Sequence, residues 1–298
     1  MGLNVWGWTE GEGADIALGL SQGPVPEVLD LRTAGIRDAD ALFEAWQRGG
    51  ASYFAALLQR HPQRKHLREE QIRFPLPVSE IWAAGVTYER SRDARREESD
   101  GSQEIYLKVY EAERPELFYK HPGRRMAHPG EAVGIRPDAH WHVPEPELTV
   151  VLAPDERIFG FTVGNDLSSR DIEAANPLYL PQAKLFHKSA SLGPSVVLMG
   201  TVEHRALDIR LEILRDGEVA FMGETSTARM RRTVEELVEY AARAWPLDPW
   251  TCIMTGTGIV PPDAFALQEG DMISISVAEI GVLRNYVRTA SSDWLRRG

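Results

Sequence analysis

Two apolar runs between Pro144 and Asp171 constrain the fold more than any other part of the chain. The stretch reads PEPELTVVLAPDERIFGFTVGNDLSSRD, so LTVVLA and IFGFTV are separated by the turn-forming segment PDE. Apolar runs of this length, rich in β-branched residues and divided by a turn, are typical of two paired strands. The sequence therefore predicts a strand hairpin here, with acidic residues at its open end.

The acidic residues of this hairpin have a spacing that suits a cation site. Glu145 and Glu147 stand two apart, so strand alternation projects both carboxylates from one face. If the two runs pair, Asp166 returns beside them, and three converging carboxylates repel one another unless a cation lies between them. Oxygen ligands favour Mg²⁺ or Mn²⁺ over zinc. The alternative is an edge strand with solvated acids, which Pro144 and Pro146 would also fit.

Composition limits the possible partners. Over 298 residues the hydrophobic fraction is 43% and the charged fraction 26%, as in ordinary soluble proteins. A net charge of −11 argues against nucleic acid as a partner. The single cysteine, Cys252, lies in an apolar run and is expected in the core. No apolar run approaches the ~20 residues of a membrane helix, and the first residues do not resemble a signal peptide, so we expect a cytoplasmic protein.

The order of elements predicts an α+β protein with two units. Asp38 precedes a helix that should end at Gly49–Gly50, and ASYFAALLQR predicts a second helix. The basic stretch 61–70 is expected to be a solvated linker. We place a small N-terminal domain at residues 1–75 and a larger, β-rich domain at 76–298, because strand patterns dominate after Ile81.

Other motifs leave two readings open. The charged segment 92–101 has little apolar surface, so it predicts either a mobile lid or a solvated helix pair. Arg90 and Arg92 flank Ser91 after a tight turn, which suits either a clamp for an anionic substrate or a solvated helix face. Zinc and nucleophile-elbow motifs are not found in the sequence.

Five segments together resemble the fumarylacetoacetate hydrolase superfamily. They are GVTYERSRDA, PEPELTVVL, GFTVGNDLSSRD, LPQAKLFHKSASLGP and TGTGIVPP, and the likeness spans about Ile81 to Val287. The resemblance implies a β-rich catalytic domain after a small N-terminal region, usually assembled as a homo-oligomer. It also implies that Glu145, Glu147 and Asp166 bind Mg²⁺ or a similar ion. The family lysine would be Lys184, and the substrate-binding threonine would be Thr257.

One departure from the hydrolytic pattern narrows the resemblance. Hydrolytic members carry a water-activating histidine where this chain has Ser91, so the likeness is greatest to the 2-keto-3-deoxy sugar-acid dehydratase branch. That branch implies Glu116 and Lys184 as acid/base residues, with Arg90, Ser91, Arg92, Tyr179 and Thr257 around the substrate.

The implied reaction is a Mg²⁺-dependent dehydration of a keto-deoxy pentonate to 2,5-dioxopentanoate through a metal-bound enolate. A hydrolase, decarboxylase or isomerase acting on another 2-keto diacid, or a non-catalytic metal-binding module, are the alternatives.

Overall fold

β-Strands form most of the regular structure of the chain. The computed structural model describes residues 1–11, 13–88, 108–291 and 294. The strands are β1 (Leu3–Trp8), β2 (Ala17–Gln22), β3 (Glu27–Asp30), β4 (Lys65–His66), β5 (Ile72–Arg73), β6 (Glu80–Gly85), β7 (Glu116–Pro122), β8 (Ala132–Ile135), β9 (His142–Val143), β10 (Pro146–Leu152), β11 (Ile158–Asp166), β12 (Ser168–Ser169), β13 (Ala190–Leu198), β14 (Asp208–Arg215), β15 (Glu218–Ser226), β16 (Cys252–Met254), β17 (Met272–Val277) and β18 (Gly281–Thr289). The α-helices of the described residues are α1 (Ala39–Arg60), α2 (Arg170–Ala175), α3 (Leu180–Lys184) and α4 (Val234–Ala242).

The strands form two main sheets. Within the described residues, an 11-stranded sheet has the order β4-β3-β2-β1-β13-β11-β10-β16-β6-β7, with β5 paired to β1. A 5-stranded sheet has the order β15-β14-β17-β18-β8. Most pairs are antiparallel, and the parallel pairs are β16 with β6 and β18 with β8. The predicted α+β, strand-rich fold is confirmed.

Each face of the large sheet covers its own hydrophobic core. Val151 and Phe159 belong to a core that also contains Leu42 and Phe54 of α1. Alternate residues of the same strands, such as Val150, belong to a second core shared with the 5-stranded sheet. This alternation is the consequence of the two-residue period of a strand. The result is a three-layer arrangement of helix, large sheet and small sheet.

Local sequence signals account for the helix ends. The carboxylate of Asp38 caps α1 by accepting a hydrogen bond from the amide of Ala41. Gly49 and Gly50 leave the helical conformation, so α1 is two helices separated by a kink, as the sequence predicts. Thr233 accepts a hydrogen bond from the amide of Glu236 and caps α4.

The first 75 residues are more closely joined to the rest of the chain than the sequence predicts. The stretch 61–70 is not simply a linker, because β4 pairs with β3 and Leu67 is buried. The domain boundary near residue 75 stays a prediction. Strand β1 is hydrogen-bonded to β13, so the large sheet and its first core are shared across that boundary.

No helix in the described part of the chain has both the length and the apolar character needed to cross a membrane.

Candidate active site

The hairpin of β10 and β11 brings the three predicted metal ligands together. The strands are antiparallel, Glu147 stands opposite Gly164, and the amide of Asp166 donates to the carbonyl of Glu145 at 3.0 Å. One carboxylate oxygen of each of Glu145, Glu147 and Asp166 lies within 4.8 Å of the others. All three side chains are buried. Because β10 lies between β11 and β16, the alternative of an edge strand with solvated acids is wrong.

Two cationic side chains of the described residues contact Glu145. Lys184, the last residue of α3, donates from Nζ to Glu145 Oε2 at 2.7 Å and to Asp166 Oδ2 at 3.0 Å. Arg170, the first residue of α2, donates from Nη2 to Glu145 Oε1 at 3.2 Å. Both cations are buried, so these ion pairs form in a poorly solvated environment in which their electrostatic coupling is strong.

Lys120 is a member of this cluster that the sequence reasoning missed. It lies on β7, is fully buried, and its Nζ is 2.8 Å from Asp166 Oδ1. The same ammonium donates to the carbonyls of Leu167, at 2.8 Å, and Lys184. Burial lowers the pKa of Lys120, and the carboxylate of Asp166 opposes that shift. Phe118 packs against the first core, and Lys120 is two residues further along the same strand. The two-residue period of a strand was therefore the signal that could have identified Lys120 as buried.

Glu147 has the electrostatic character of a metal ligand. Burial, followed by repulsion from Asp166 and Glu145, raises its pKa well above the ordinary range. The amide of Gly256 donates to Glu147 Oε2 at 2.5 Å and supports the negative charge. The three buried carboxylates together offer the oxygen ligands that a hard divalent cation prefers, and such a cation would relieve their repulsion. The residues present therefore fit Mg²⁺ or Mn²⁺.

A narrow cleft adjoins the carboxylates and is lined by three of the seven other predicted site residues. It has a volume of about 20 Å³, roughly the space of one water molecule. Glu116, Lys184 and Thr257 line it together with Glu145 and Glu147. Thr257 is buried in the TGTG loop, where its hydroxyl accepts a hydrogen bond from the amide of Ile259 at 3.2 Å. The structure thus brings both predicted acid/base residues to the edge of the metal site.

Of the remaining predicted substrate contacts, the structure describes Tyr179 alone. Tyr179, on the 3₁₀ helix Pro177–Tyr179, is 44% exposed and does not line the cleft. Its role stays a prediction. Arg90, Ser91 and Arg92, and the predicted lid at 92–101, lie outside the described residues.

Comparison with known proteins identifies relatives over most of the chain. A "Probable 2-keto-3-deoxyxylonate dehydratase" of Haloferax volcanii is 49% identical over 216 residues, which are 72% of this chain and 74% of that protein. The 2-dehydro-3-deoxy-D-arabinonate dehydratase of Saccharolobus solfataricus is 40% identical over 226 residues, or 74% of this chain and 76% of that protein.

Solved structures extend the similarity to the first residues. The structure of a 2-keto-3-deoxy-D-arabinonate dehydratase complexed with magnesium and 2,5-dioxopentanoate has a TM-score of 0.76 and 29% identity. The superposition covers 98% of this chain and 100% of that one. The profile of the fumarylacetoacetate (FAA) hydrolase C-terminal family matches residues 80–288. This range includes every predicted metal and acid/base residue, and the chain belongs to the fumarylacetoacetate hydrolase family.

Proposed function

We propose that this protein dehydrates a 2-keto-3-deoxy pentonate to 2,5-dioxopentanoate with Mg²⁺ as its cofactor. The observation that carries the proposal is a cleft lined by Glu116 and Lys184 together with Glu145 and Glu147, the two glutamates of the carboxylate triad. Two relatives at 40% identity or more are dehydratases of this substrate class by name, and the magnesium complex of a structural neighbour contains the product.

The metal would be held by Glu145, Glu147 and Asp166. The chemistry supplied by the bound ion is polarisation of the 2-keto group, which makes the C3 hydrogens acidic. The protein must then remove a C3 proton and protonate the C4 hydroxyl, so that it leaves as water. Transfer of a proton from C5 to C3 of the resulting 5-hydroxy-3-ene gives an enol across C4 and C5. Transfer of the enol hydroxyl proton to C4 then gives the aldehyde, which balances the reaction.

Lys184 and Glu116 would move these protons, and their positions support this assignment. Lys184 Nζ lies between Glu145 and Asp166, so an amine is held directly at the proposed metal site. Glu116 reaches the same cleft from β7, on another strand of the large sheet. A carboxyl group and an amine on one small cleft provide an acid and a base without a water nucleophile.

Product analysis separates dehydration from the hydrolytic alternative. The Mg²⁺-loaded protein should convert a 2-keto-3-deoxy-pentonate to 2,5-dioxopentanoate, followed by NMR, and should leave acylpyruvates and fumarylacetoacetate intact. The chain has Ser91 where hydrolytic relatives carry a histidine, and a hydroxyl is a poor base near neutral pH. The Ser91→His substitution should therefore not increase the rate of dehydration. Efficient carbon–carbon cleavage without dioxopentanoate would contradict the proposal.

We also propose that the protein acts as a homo-oligomer in the cytoplasm. Large apolar side chains on the small sheet support self-association, since Val219, Met222 and Tyr286 are each more than 40% exposed. Light scattering at working concentration would test the oligomer, and fractionation of the source cells would test the location.

A further inference from the structure

Gly85 and Glu116 face each other at the cleft end of two neighbouring strands. Gly85 is the last residue of β6, Glu116 is the first of β7, and the two are direct partners in the antiparallel register. A Cβ atom added to Gly85 would lie 2.0 Å from Glu116 Oε2 and 2.6 Å from its Cδ. The carboxyl group of Glu116 therefore occupies the space that any larger residue at position 85 would need.

The conflict at position 85 involves a side chain alone, in contrast to the conflicts at Gly123 and Gly160. An added Cβ at Gly123 or Gly160 would meet the backbone oxygen of Val78 or Val197, at 2.0 and 2.2 Å. There the chain itself would have to separate. At Gly85 the nearest atoms all belong to the flexible side chain of Glu116, and Gly85 has no positive φ angle that would disfavour alanine.

Glycine inside a strand is unfavourable for the sheet itself. It contributes no cross-strand side-chain contact and is costly in backbone entropy, so its presence often marks a close approach by another group. In β6 the approaching group is the Glu116 carboxylate. Strand β6 thus has a residue without a side chain at position 85, where Glu116 crosses over it.

We infer that Gly85 is a positioning residue that lets Glu116 cross the end of β6 and reach the cleft beside Lys184 and Glu147. This inference rests on the proposed function, in which Glu116 is an acid or base. Since heavy atoms are essentially never closer than 3.0 Å to a real Cβ, alanine at position 85 must move the carboxylate by roughly 1 Å or more. Misplacement of a reacting group by 1 Å can cost ~10²-fold in rate.

A double-mutant cycle tests this coupling. We expect Gly85→Ala to lower kcat by ~10²-fold while changing KM and the affinity for Mg²⁺ by less than about threefold, because only the proton-transfer geometry changes. Added to Glu116→Gln, the same substitution should cost little more, since the group that it displaces has already lost its function. Gly11→Ala is the control, because a Cβ there has nothing within 4 Å. Equal losses from Gly85→Ala in both backgrounds would overturn the inference.

A crystal structure of Gly85→Ala provides a readout that does not depend on the reaction. The Glu116 carboxylate should leave its position across β6, while the β6–β7 pairing and the Glu145–Glu147–Asp166 cluster stay in place. If the carboxylate keeps its position, the inference is wrong even when the enzyme is a dehydratase. If the wild-type protein fails to dehydrate keto-deoxy acids, the proposed function is wrong, and the position of Glu116 still decides the role of Gly85.

Discussion

Glu147 is the carboxylate at which the need for a cation is greatest. Its pKa is raised by burial and by Asp166 and Glu145, so its ionised form is unfavourable until a positive charge arrives. Glu147→Gln removes one proposed metal ligand and also this repulsion. We expect Mg²⁺ affinity to fall at least ~10-fold and turnover to be lost, while stability without metal is retained or increased.

Isothermal titration calorimetry with Mg²⁺ and thermal unfolding measure both effects. Glu44→Gln is the matched control, because Glu44 is exposed on α1. Unchanged Mg²⁺ affinity in Glu147→Gln would contradict the assignment of this ligand.

Lys120 connects two parts of the site that are distant in sequence. Its ammonium contacts Asp166 and the carbonyls of Leu167 and Lys184, so it ties the end of β11 to the end of α3. Lys120→Met keeps much of the side-chain volume but leaves a buried carboxylate and two carbonyls with one partner fewer. We expect a loss of ~3 kcal/mol in unfolding free energy, the scale of a broken buried ion pair.

Urea unfolding of Lys120→Met gives this energy directly. Lys65→Met is the control, since Lys65 pairs with Glu10 at the surface and should cost under ~1 kcal/mol. Equal stability losses in the two variants would show that Lys120 has no special structural role.

At the scale of elements, the loop of residues 255–258 supports the triad through its backbone. Gly256 has φ +92, and its amide donates to Glu147. A Cβ there would lie 2.0 Å from Thr87 Oγ1, which itself donates to the carbonyl of Thr255 at 2.6 Å. Gly256→Ala should therefore strain the loop and displace the donor to Glu147.

Gly270→Ala is the control that separates backbone strain from loss of the contact between Gly256 and Glu147. Gly270 has a similar φ of +90, but a Cβ there has nothing within 4 Å. Both variants should lose ~1–2 kcal/mol of stability from backbone strain, and Gly256→Ala alone should weaken Mg²⁺ binding. Chemical denaturation and calorimetry measure the two quantities. Equal Mg²⁺ affinities in the two variants would contradict a role for the loop in the metal site.

Local patterns predicted the elements better than their arrangement. The apolar runs around Glu147 and Asp166 predicted β10 and β11, and Asp38 predicted the start of α1, because these signals depend on neighbours along the chain. The placement of β1 beside β13 could not be predicted, since non-local pairing leaves no periodic signal. Lys120 was missed for the same reason, because its partners lie on β11 and α3.

At the scale of the whole molecule, two buried histidines predict sensitivity to acid. Burial lowers the pKa of both His121 and His142 to about 4. An unfolded histidine titrates near 6.5, so the unfolded state binds more protons between these values. The free energy of unfolding is therefore highest above about pH 6.5. It falls as the pH is lowered towards 4, by roughly 3 kcal/mol for each histidine.

Urea midpoints measured at pH 7, 5.5 and 4.5 follow this loss. A His121→Gln/His142→Gln variant should show a shallower dependence on pH than the wild type, whatever its stability at pH 7. His66→Gln is the control, because the His66 side chain is 63% exposed. The same pH slope in the double variant and the wild type would assign the acid sensitivity to other groups.

The pairing of β1 with β13 has a consequence for engineering this family. Asn4, Val5 and Trp6 complete the hydrogen bonds of β13, whose other edge holds β11 and, at its end, Asp166. The first residues therefore cover the edge of strand β13 in the catalytic sheet. They are not a separate segment that can be exchanged freely between homologues. A chimera that replaces them with a poorly matched segment would leave an apolar strand edge open to other chains, and its failure would appear as aggregation before any change in catalysis.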